Sequence, residues 1–237
     1  MRIYLLLLLL VAPLAEAEWF THEETQGLSL DAQDITTLKV VSRHGFIRIT
    51  GDDAVEKITV TATIKVPRSD ESKAQEVIAD ALTLSLVGEN GVASLDGFFP
   101  DSIWRFGNGP SVSLTVRVPQ HMNVSIDDGT GYIVIEDVHG DVSIRDGAGS
   151  IELDNVGGLV NVEDSSGWID ADSIRGDIHI KDRSGGISVS RVTGSVSIDD
   201  GSGHIDVSDI SEDLIIIDNK SGRLQFSDIG GHIKTDT

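Results

Sequence analysis

The chain has 237 residues, among which 39 acidic side chains outnumber 18 basic ones and leave a formal net charge of −21 at pH 7. A surface this acidic repels polyanions, which argues against nucleic acid and anionic lipid as partners and suits cations or basic partners. The chain has no cysteine, so no disulfide framework supports it. Composition therefore favours a protein that is kept in solution by its charge.

The first residues have the composition of a secretory signal peptide. A positive Met1-Arg2 start precedes an apolar run at 5–12, and Ala15-Glu16-Ala17 is a small-x-small cleavage site. The apolar run is too short to cross a membrane, and no later run is long enough. We therefore predict a signal peptide over 1–17. The mature chain, with no transmembrane segment, would be exported to the periplasm, the cell surface or the medium.

The next segment, residues 18–126, is predicted to be mostly strands. Alternating apolar runs at 58–66 and 112–118 have the period of half-buried strands. Between them, apolar residues at helical spacing predict a short helix near 70–81, capped by Ser69. No Pro- or Ser-rich linker follows. We therefore expect this β-rich N-terminal part to be fused directly to the next segment and to cap its first rung.

Six copies of one motif fill residues 127–237. A glycine recurs at intervals of 18, 18, 18, 18 and 19 residues, and Ile or Leu stands two residues after it in every copy. Each copy has two alternating apolar runs and two turn motifs, which indicates two short strands. A fixed period with constant apolar columns is typical of stacked solenoid rungs. The repeat glycines are Gly131, Gly149, Gly167, Gly185, Gly203 and Gly222.

These patterns predict an all-β fold: a single-stranded β-solenoid (β-helix) with two-strand rungs of ~18 residues, preceded by the β-rich part with its short helix. Residue i would lie over residue i+18, about 4.8 Å away. One outward column, Arg145, Glu163, Lys181 and Asp199, alternates in sign and would place opposite charges side by side.

The printed sequence stops part-way through a seventh rung, at residues 231–237. An uncovered last rung offers strand edges to another chain. We therefore expect that either the last residues fold over this end or the open rung supports self-association or pairing with a partner.

Several segments are similar to one known family. They are the signal peptide, Gly45-Phe46-Ile47-Arg48-Ile49, Val116-Arg117-Val118-Pro119 leading into Val124-Ser125-Ile126, and repeats such as Asp200-Gly201-Ser202-Gly203-His204-Ile205-Asp206-Val207. Together they resemble the bacterial putative-adhesin domain family over most of the mature chain. The resemblance implies an exported β-solenoid of the cell envelope with an unassigned function, and it supplies no catalytic residues.

Aromatic side chains are the first candidate ligand site. Tyr132, Trp168 and His204 follow the repeat glycine in alternate rungs, so their rings would lie roughly 10 Å apart on one face. Sugar-binding surfaces and protein interfaces use such rings, although incidental decoration would look the same in sequence. Trp104 and Phe106 belong to a second aromatic-rich segment, which would form a recognition loop or shield the end of the core.

Aspartates at the first turn of each repeat are the second candidate. Stacked carboxylates repel one another by about 1 kcal/mol per pair in water, and a bound cation would relieve this repulsion. Alternatively, each carboxylate accepts a hydrogen bond from its own turn backbone. Calcium-binding nonapeptide repeats carry Asp two residues after the second glycine, where this chain has Ile or Leu. The predicted column consists of Asp128, Asp146, Asp164, Asp182, Asp200 and Asp218.

No arrangement of residues predicts catalysis or a cofactor. The seven His residues lack a metal-ligand spacing, and no Ser/His/Asp order stands out from the repeats. We predict a non-enzymatic, adhesin-like scaffold that binds an unknown protein or glycan. Two alternatives stay open: a glycan-binding or carbohydrate-active protein that uses the Tyr132/Trp168 face, and a cation-binding solenoid that uses the aspartate column.

Overall fold

The computed structural model of the chain describes residues 20–68, 70–103 and 109–235. Some predictions lie outside the described residues. They are those made for the signal peptide at 1–17, Ser69, Trp104 and Phe106.

The described residues of the N-terminal part form seven strands, one α-helix and a short 3-10 helix at Asp101–Ile103. In chain order the strands and the α-helix are β1 (Phe20–Asp31), β2 (Thr37–Ser42), β3 (His44–Asp52), β4 (Lys57–Arg68), α1 (Glu71–Ala81), β5 (Thr83–Glu89), β6 (Val92–Phe98) and β7 (Ser111–Pro119).

The rest of the described chain forms short strands, two for each repeat. They are β8 (Asn123–Asp127), β9 (Thr130–Glu136), β10 (Val142–Arg145), β11 (Ala148–Asp154), β12 (Val160–Glu163), β13 (Gly167–Ile174), β14 (Ile178–Asp182), β15 (Gly185–Val192), β16 (Val196–Asp200), β17 (Gly203–Ile210), β18 (Leu214–Asn219), β19 (Gly222–Ile229) and β20 (Ile233–Thr235).

All the strands belong to two ten-stranded sheets that enclose one hydrophobic core. Sheet A has the order β1-β4-β7-β3-β9-β11-β13-β15-β17-β19. Sheet B has the order β20-β18-β16-β14-β12-β10-β8-β2-β6-β5. Each rung therefore contributes one strand to each wall, and the predicted β-solenoid is confirmed at about 6 turns.

Equivalent residues of successive rungs pair in parallel. Ile151 lies beside Ile169, and Ile169 lies beside Ile187. Each 18-residue turn of the solenoid, called a lap here, therefore adds one strand to the sheet. These isoleucine side chains are buried and β-branched, which suits the pleated wall of a narrow core. On the outside of sheet B, Arg145 and Glu163 lie in register as predicted, and Arg145 Nε donates to Glu163 Oε2 at 3.0 Å.

The solenoid extends into the N-terminal part. Strand β2 pairs in parallel with β8, and β3 pairs in parallel with β9, which places Gly45 in register with Gly131. Residues 37–52 therefore form a rung of their own, although 70 residues separate them from the next rung. Strands β4 and β7 extend sheet A and β6 extends sheet B, so both sheets are continuous across the predicted boundary at residue 127.

The helix lies where the apolar spacing predicts it, and the structure places its N-cap at Asp70, one residue after the predicted Ser69. Asp70 Oδ1 accepts a hydrogen bond from the backbone N–H of Lys73 at 2.9 Å. A carboxylate at this position satisfies a free amide and also complements the positive end of the helix dipole.

The 19-residue interval before the last repeat glycine is absorbed by a β-bulge. Strands β16 and β18 stay in register up to Ile198, after which Asp199 pairs with Asp218 and Asp200 pairs with Asn219. The extra residue is Ile217, whose side chain is turned outwards and 50% exposed. The inserted residue therefore kinks one strand and leaves the core columns unchanged.

Deleting Ile217 is expected to be tolerated, because it restores the 18-residue lap. The free energy of unfolding should change by less than about 1 kcal/mol, measured by urea denaturation. Deleting the exposed His179 is the matched control, since β14 has no bulge to remove. That deletion moves Ile180 out of the core and should cost more than about 3 kcal/mol. Equal losses for the two deletions would contradict this account of the bulge.

At the far end of the stack, core-column side chains are uncovered. Phe226 and Ile233 are exposed, whereas Val207, which Phe226 pairs with in the previous rung, is fully buried. Within residues 109–235, no strand pairs with the outer edges of β19 and β20. Self-association through this rung stays a prediction.

Candidate functional site

The outer face of sheet A carries the predicted aromatic residues. Side chains alternate along each strand, so the residue directly after each repeat glycine points away from the core. Trp168 is 47% exposed and Tyr132 is 39% exposed. The His204 ring nitrogen Nδ1 donates to the backbone carbonyl of Arg223 at 3.1 Å, so part of this ring is engaged within the stack.

The Trp168 ring lies over Gly186 of the next rung, which has no side chain to displace it. A Cβ placed on Gly186 would lie 2.9 Å from Trp168 Cη2 and closer still to two other ring carbons. The indole therefore covers the backbone of β15 at Gly186 while the side chain stays exposed. In this position the indole presents an exposed aromatic surface on which a ligand could stack.

A further aromatic residue, Phe46, extends the row beyond the repeats. Its ring stacks on Tyr132 with centroids 5.7 Å apart and an interplanar angle of 29°. The guanidinium of Arg48 lies 5.5 Å from the Phe46 centroid and donates to Glu136 at 2.8 Å. Sequence reasoning missed this contact. The signal was present, because Phe46 follows Gly45 as Tyr132 follows Gly131.

Carboxylates occupy the same face beside the rings. They line an open depression of about 530 Å³ together with Ser188, Ser190 and Arg191. The Tyr132 hydroxyl donates to one of them, Glu152, and this hydrogen bond raises the pKa of Tyr132. The acidic residues of the depression are Glu136, Glu152, Asp154, Asp170 and Asp172.

These carboxylates are not equivalent. Asp172 is already engaged, because Ser190 Oγ donates to it at 2.6 Å and Arg191 forms an ion pair with it. Partial burial, with the charge of nearby Asp172, raises the pKa of Asp154. Asp170 is exposed next to Trp168. The arrangement can accept hydrogen bonds from hydroxyl or amine groups of a ligand that stacks on the indole.

The turn aspartates occupy a different place, inside the corner of the solenoid. Asp128, Asp146, Asp164, Asp182 and Asp200 are between 1% and 5% exposed. In four of them Oδ1 accepts a hydrogen bond from the turn that follows, for example from the N–H of Gly147 to Asp146 at 2.7 Å. The second predicted explanation, capping of their own turns, therefore describes their geometry.

Asp218 does not belong to this column, which corrects the prediction. The bulge at Ile217 places Asn219 beside Asp200, and Asp218 moves to the outward position beside Asp199. There it forms an ion pair with Lys220 at 3.1 Å. Simple 18-residue counting led to the wrong residue because the last interval is one residue longer.

The cation-binding alternative stays a prediction. The part of the chain that the structure describes has no group of three or more His, Cys, Asp or Glu side chains placed to hold a metal ion. In the column, consecutive carboxylates come from consecutive rungs, so only two neighbours could reach a common ion.

A second corner column also escaped sequence analysis. One residue in each repeat, next to the end of its sheet A strand, adopts a left-handed conformation, with φ between 54° and 59°. Asp and Asn tolerate this region better than other non-glycine residues, and they fill four of its six positions. Its side chains bond along the stack; Asn155 Nδ2 donates to Asp137 at 2.6 Å. The column consists of Asp137, Asn155, Ser173, Arg191, Asp209 and Asp228.

Another cavity, of about 680 Å³, lies beside the first rung. Its lining includes Asp52, His121 and His139. Asp52 is held by its own turn, where it accepts from the N–H of Ala54 at 2.8 Å, and by an ion pair with Arg117. His139 is hydrogen-bonded to Arg175 at 2.8 Å. The Asp52 and His139 side chains are therefore engaged in local structure, and the sequence predicted no role for the lining of this cavity.

Comparison with known proteins gives one match to a family. The model described as Toastrack DUF4097 matches residues 32–229. No curated protein matches the chain. Among the described residues, no helix combines the length and apolar character that crossing a bilayer requires.

Solved structures with a similar arrangement share little sequence with the chain. A putative cell adhesion protein from Clostridium sporogenes is 11% identical, covering 90% of this chain and 99% of its own, with a TM-score of 0.40. A putative adhesin from Bacteroides fragilis is 12% identical, covering 90% and 97%, with a TM-score of 0.32. A putative lipid binding protein from Parabacteroides distasonis is 13% identical, covering 89% and 96%, with a TM-score of 0.28.

Proposed function

Because the chain belongs to the Toastrack DUF4097 family, whose model matches most of it, we propose that it is a non-enzymatic, adhesin-like binding scaffold. Its place would be outside the cytoplasm, in the periplasm, at the cell surface or in the medium. The signal peptide predicted at 1–17 supports export. The binding surface would be the outer face of sheet A between β3 and β17.

One observation carries this proposal: two large aromatic side chains stay exposed on a rigid strand face. Burying Trp168 and Tyr132 would be favourable, yet the stack leaves both open beside a row of carboxylates. Tyr132 stacks on the neighbouring Phe46, and the Trp168 ring lies over Gly186. Preformed aromatic surfaces of this kind are typical of binding sites.

Within this function, a glycan is the second and more specific candidate. A sugar ring stacked on Trp168 would bring its hydroxyl groups beside Asp170 and Glu152, which are hydrogen-bond acceptors. The same carboxylates would repel sulfated or carboxylated glycans. Neutral glycans and amino sugars are therefore the expected ligands, and a carbohydrate-active role is not required for this binding.

Trp168→Ala is expected to weaken binding at least tenfold, because removing a central aromatic contact of an interface costs about 2 kcal/mol or more. The measurement uses a panel of neutral, amino and anionic glycans together with basic and acidic peptides. Val87→Ala is the control, since it removes an exposed apolar side chain from sheet B. Binding that survives Trp168→Ala, or a panel with no ligand that depends on Trp168, would count against the proposal.

A further inference from the structure

We propose that the buried aspartates Asp128, Asp146, Asp164, Asp182 and Asp200 form a proton-binding column that makes the solenoid more stable in mildly acidic than in neutral or alkaline surroundings. This property is independent of the ligand that the outer face of sheet A binds. It would bias an exported protein towards rigidity in acidic environments.

The column is a continuous row of polar side chains that are stacked inside the solenoid. Strand pairing sets Asp182 beside Asp200 and Asp200 beside Asn219, and the same lap relates the other members. At the other end, the register of β2 with β8 sets Ser42 next to Asp128, and Ser42 is fully buried. Five acids are therefore enclosed between two neutral polar residues.

The inner oxygen of each carboxyl group is the feature that needs explanation. In Asp146, Asp164, Asp182 and Asp200, Oδ1 accepts from the turn backbone, whereas the buried Oδ2 has no hydrogen-bond partner among the described residues. A buried charged oxygen with no partner is costly. Stacking such oxygens one strand spacing apart adds repulsion between like charges.

A proton removes both penalties. It neutralises the carboxylate and turns Oδ2 from an acceptor into a donor, which can bond to an oxygen of the neighbouring rung. Two carboxyl groups that share a site commonly hold one proton between them. A metal ion would need further ligands, and the described residues provide no group of three acidic or histidine side chains around it.

The pKa shifts agree with this geometry. Burial, reinforced by the charges of Asp128 and Asp164, raises the pKa of Asp146 to about 7. Burial likewise raises the pKa of Asp128 and of Asp182 to about 6.

The other two members shift in the same direction, because burial raises the pKa of Asp164 and of Asp200. Charged groups beside the ends of the column are few. Arg43 lowers the pKa of Asp128 and Asp127 raises it, while Asp199 and Asp218 raise that of Asp200.

The direction of the pH dependence follows from these shifts. The folded-state pKa values lie above the unfolded value of about 3.9, so the native state binds more protons than the unfolded state between about pH 4 and pH 7. Stability is therefore greatest at the acidic side of this window and falls as pH rises through it. Repulsion within a chain of net charge −21 also lowers stability as pH rises. The variant of the column must therefore be compared with a variant that loses the same charge at other positions.

The test is urea unfolding of the whole chain between pH 5 and pH 8. We expect the folding equilibrium constant to fall at least tenfold over this range, since one pKa unit corresponds to a factor of ten. Asp164→Asn with Asp182→Asn should reduce this dependence clearly, because an amide cannot titrate, and Asn219 already occupies the same column. Asp170→Asn with Asp206→Asn removes the same charge from exposed positions of sheet A and should leave the dependence unchanged.

A second measurement holds even if the column variant fails to fold. Carbon-13 NMR of the aspartate carboxyl groups in the unaltered chain should show several aspartates with titration midpoints between about pH 5.5 and 7.5. These midpoints lie roughly two pH units above those of exposed aspartates. Titration of every aspartate below pH 5 would overturn the proposal. So would equal pH profiles for the two double variants, or a profile that calcium abolishes and a chelator restores.

Discussion

Replacing Gly167 by alanine is expected to destabilise the chain by more than about 3 kcal/mol. Gly167 has a φ of 153°, in a region that is almost closed to residues with a side chain. A Cβ there would lie 2.7 Å from the carbonyl carbon of Gly149 and closer still to its oxygen. The clash is with backbone of the previous rung, so no side-chain rotation can relieve it.

Gly186→Ala is the matched control for this substitution. It introduces the same methyl group in the next rung, but there the obstacle is the far end of the Trp168 ring, which can swing away. We expect a loss of less than about 1.5 kcal/mol for the control, and a changed Trp168 fluorescence. Urea denaturation measures both losses. Equal destabilisation by the two substitutions would show that the stacked glycines are not the sterically limiting element.

The second large effect is expected for Ile49→Ala, at about 2–5 kcal/mol. Ile49 is fully buried on β3, where it pairs with Ile135 of the first repeat on one side and Val116 of β7 on the other. Its removal leaves a cavity at the junction of the N-terminal part and the repeats. Because both sheets are continuous there, the loss should appear in one unfolding transition for the whole chain.

Thr50→Ala provides the control for this junction, since the adjacent side chain points outwards and should contribute less than about 1 kcal/mol. Unfolding is followed by circular dichroism and by tryptophan fluorescence in urea. Two separate transitions in the unaltered chain, with Ile49→Ala shifting only one of them, would mean that the segments on either side of residue 127 fold as independent units.

The repeats explain why so much of the fold could be predicted. Equivalent residues every 18 positions can satisfy their backbone hydrogen bonds only by pairing with the next copy, and the alternating apolar columns decide which side faces inwards. The outward positions of Tyr132 and Trp168 follow from the same alternation. The column of left-handed residues was missed in the sequence because Ser173 and Arg191 interrupt a pattern that otherwise consists of Asp and Asn.

Counting along the chain fails where the lap length changes. Asp218 was placed in the aspartate column because every earlier interval is 18 residues. The bulge at Ile217 shifts the register by one residue, so Asn219 occupies that position instead. A period tells how many residues separate two columns but not where an extra residue is accommodated. That choice depends on which position can turn outwards at the lowest cost, which is a property of the packed rung.

The sequence by itself determined the all-β class, the lap of the solenoid and the residues that fill its core, because all three follow from local alternation repeated at a constant period. Only the tertiary structure decided that residues 37–52 form the rung beneath the repeats, that Phe46 stacks on Tyr132, and that the turn aspartates are buried. These features arise from contacts between residues 18 to 86 positions apart. Such contacts exist only once the sheets have closed around the core, so burial and charge at the corners are properties of the assembled stack.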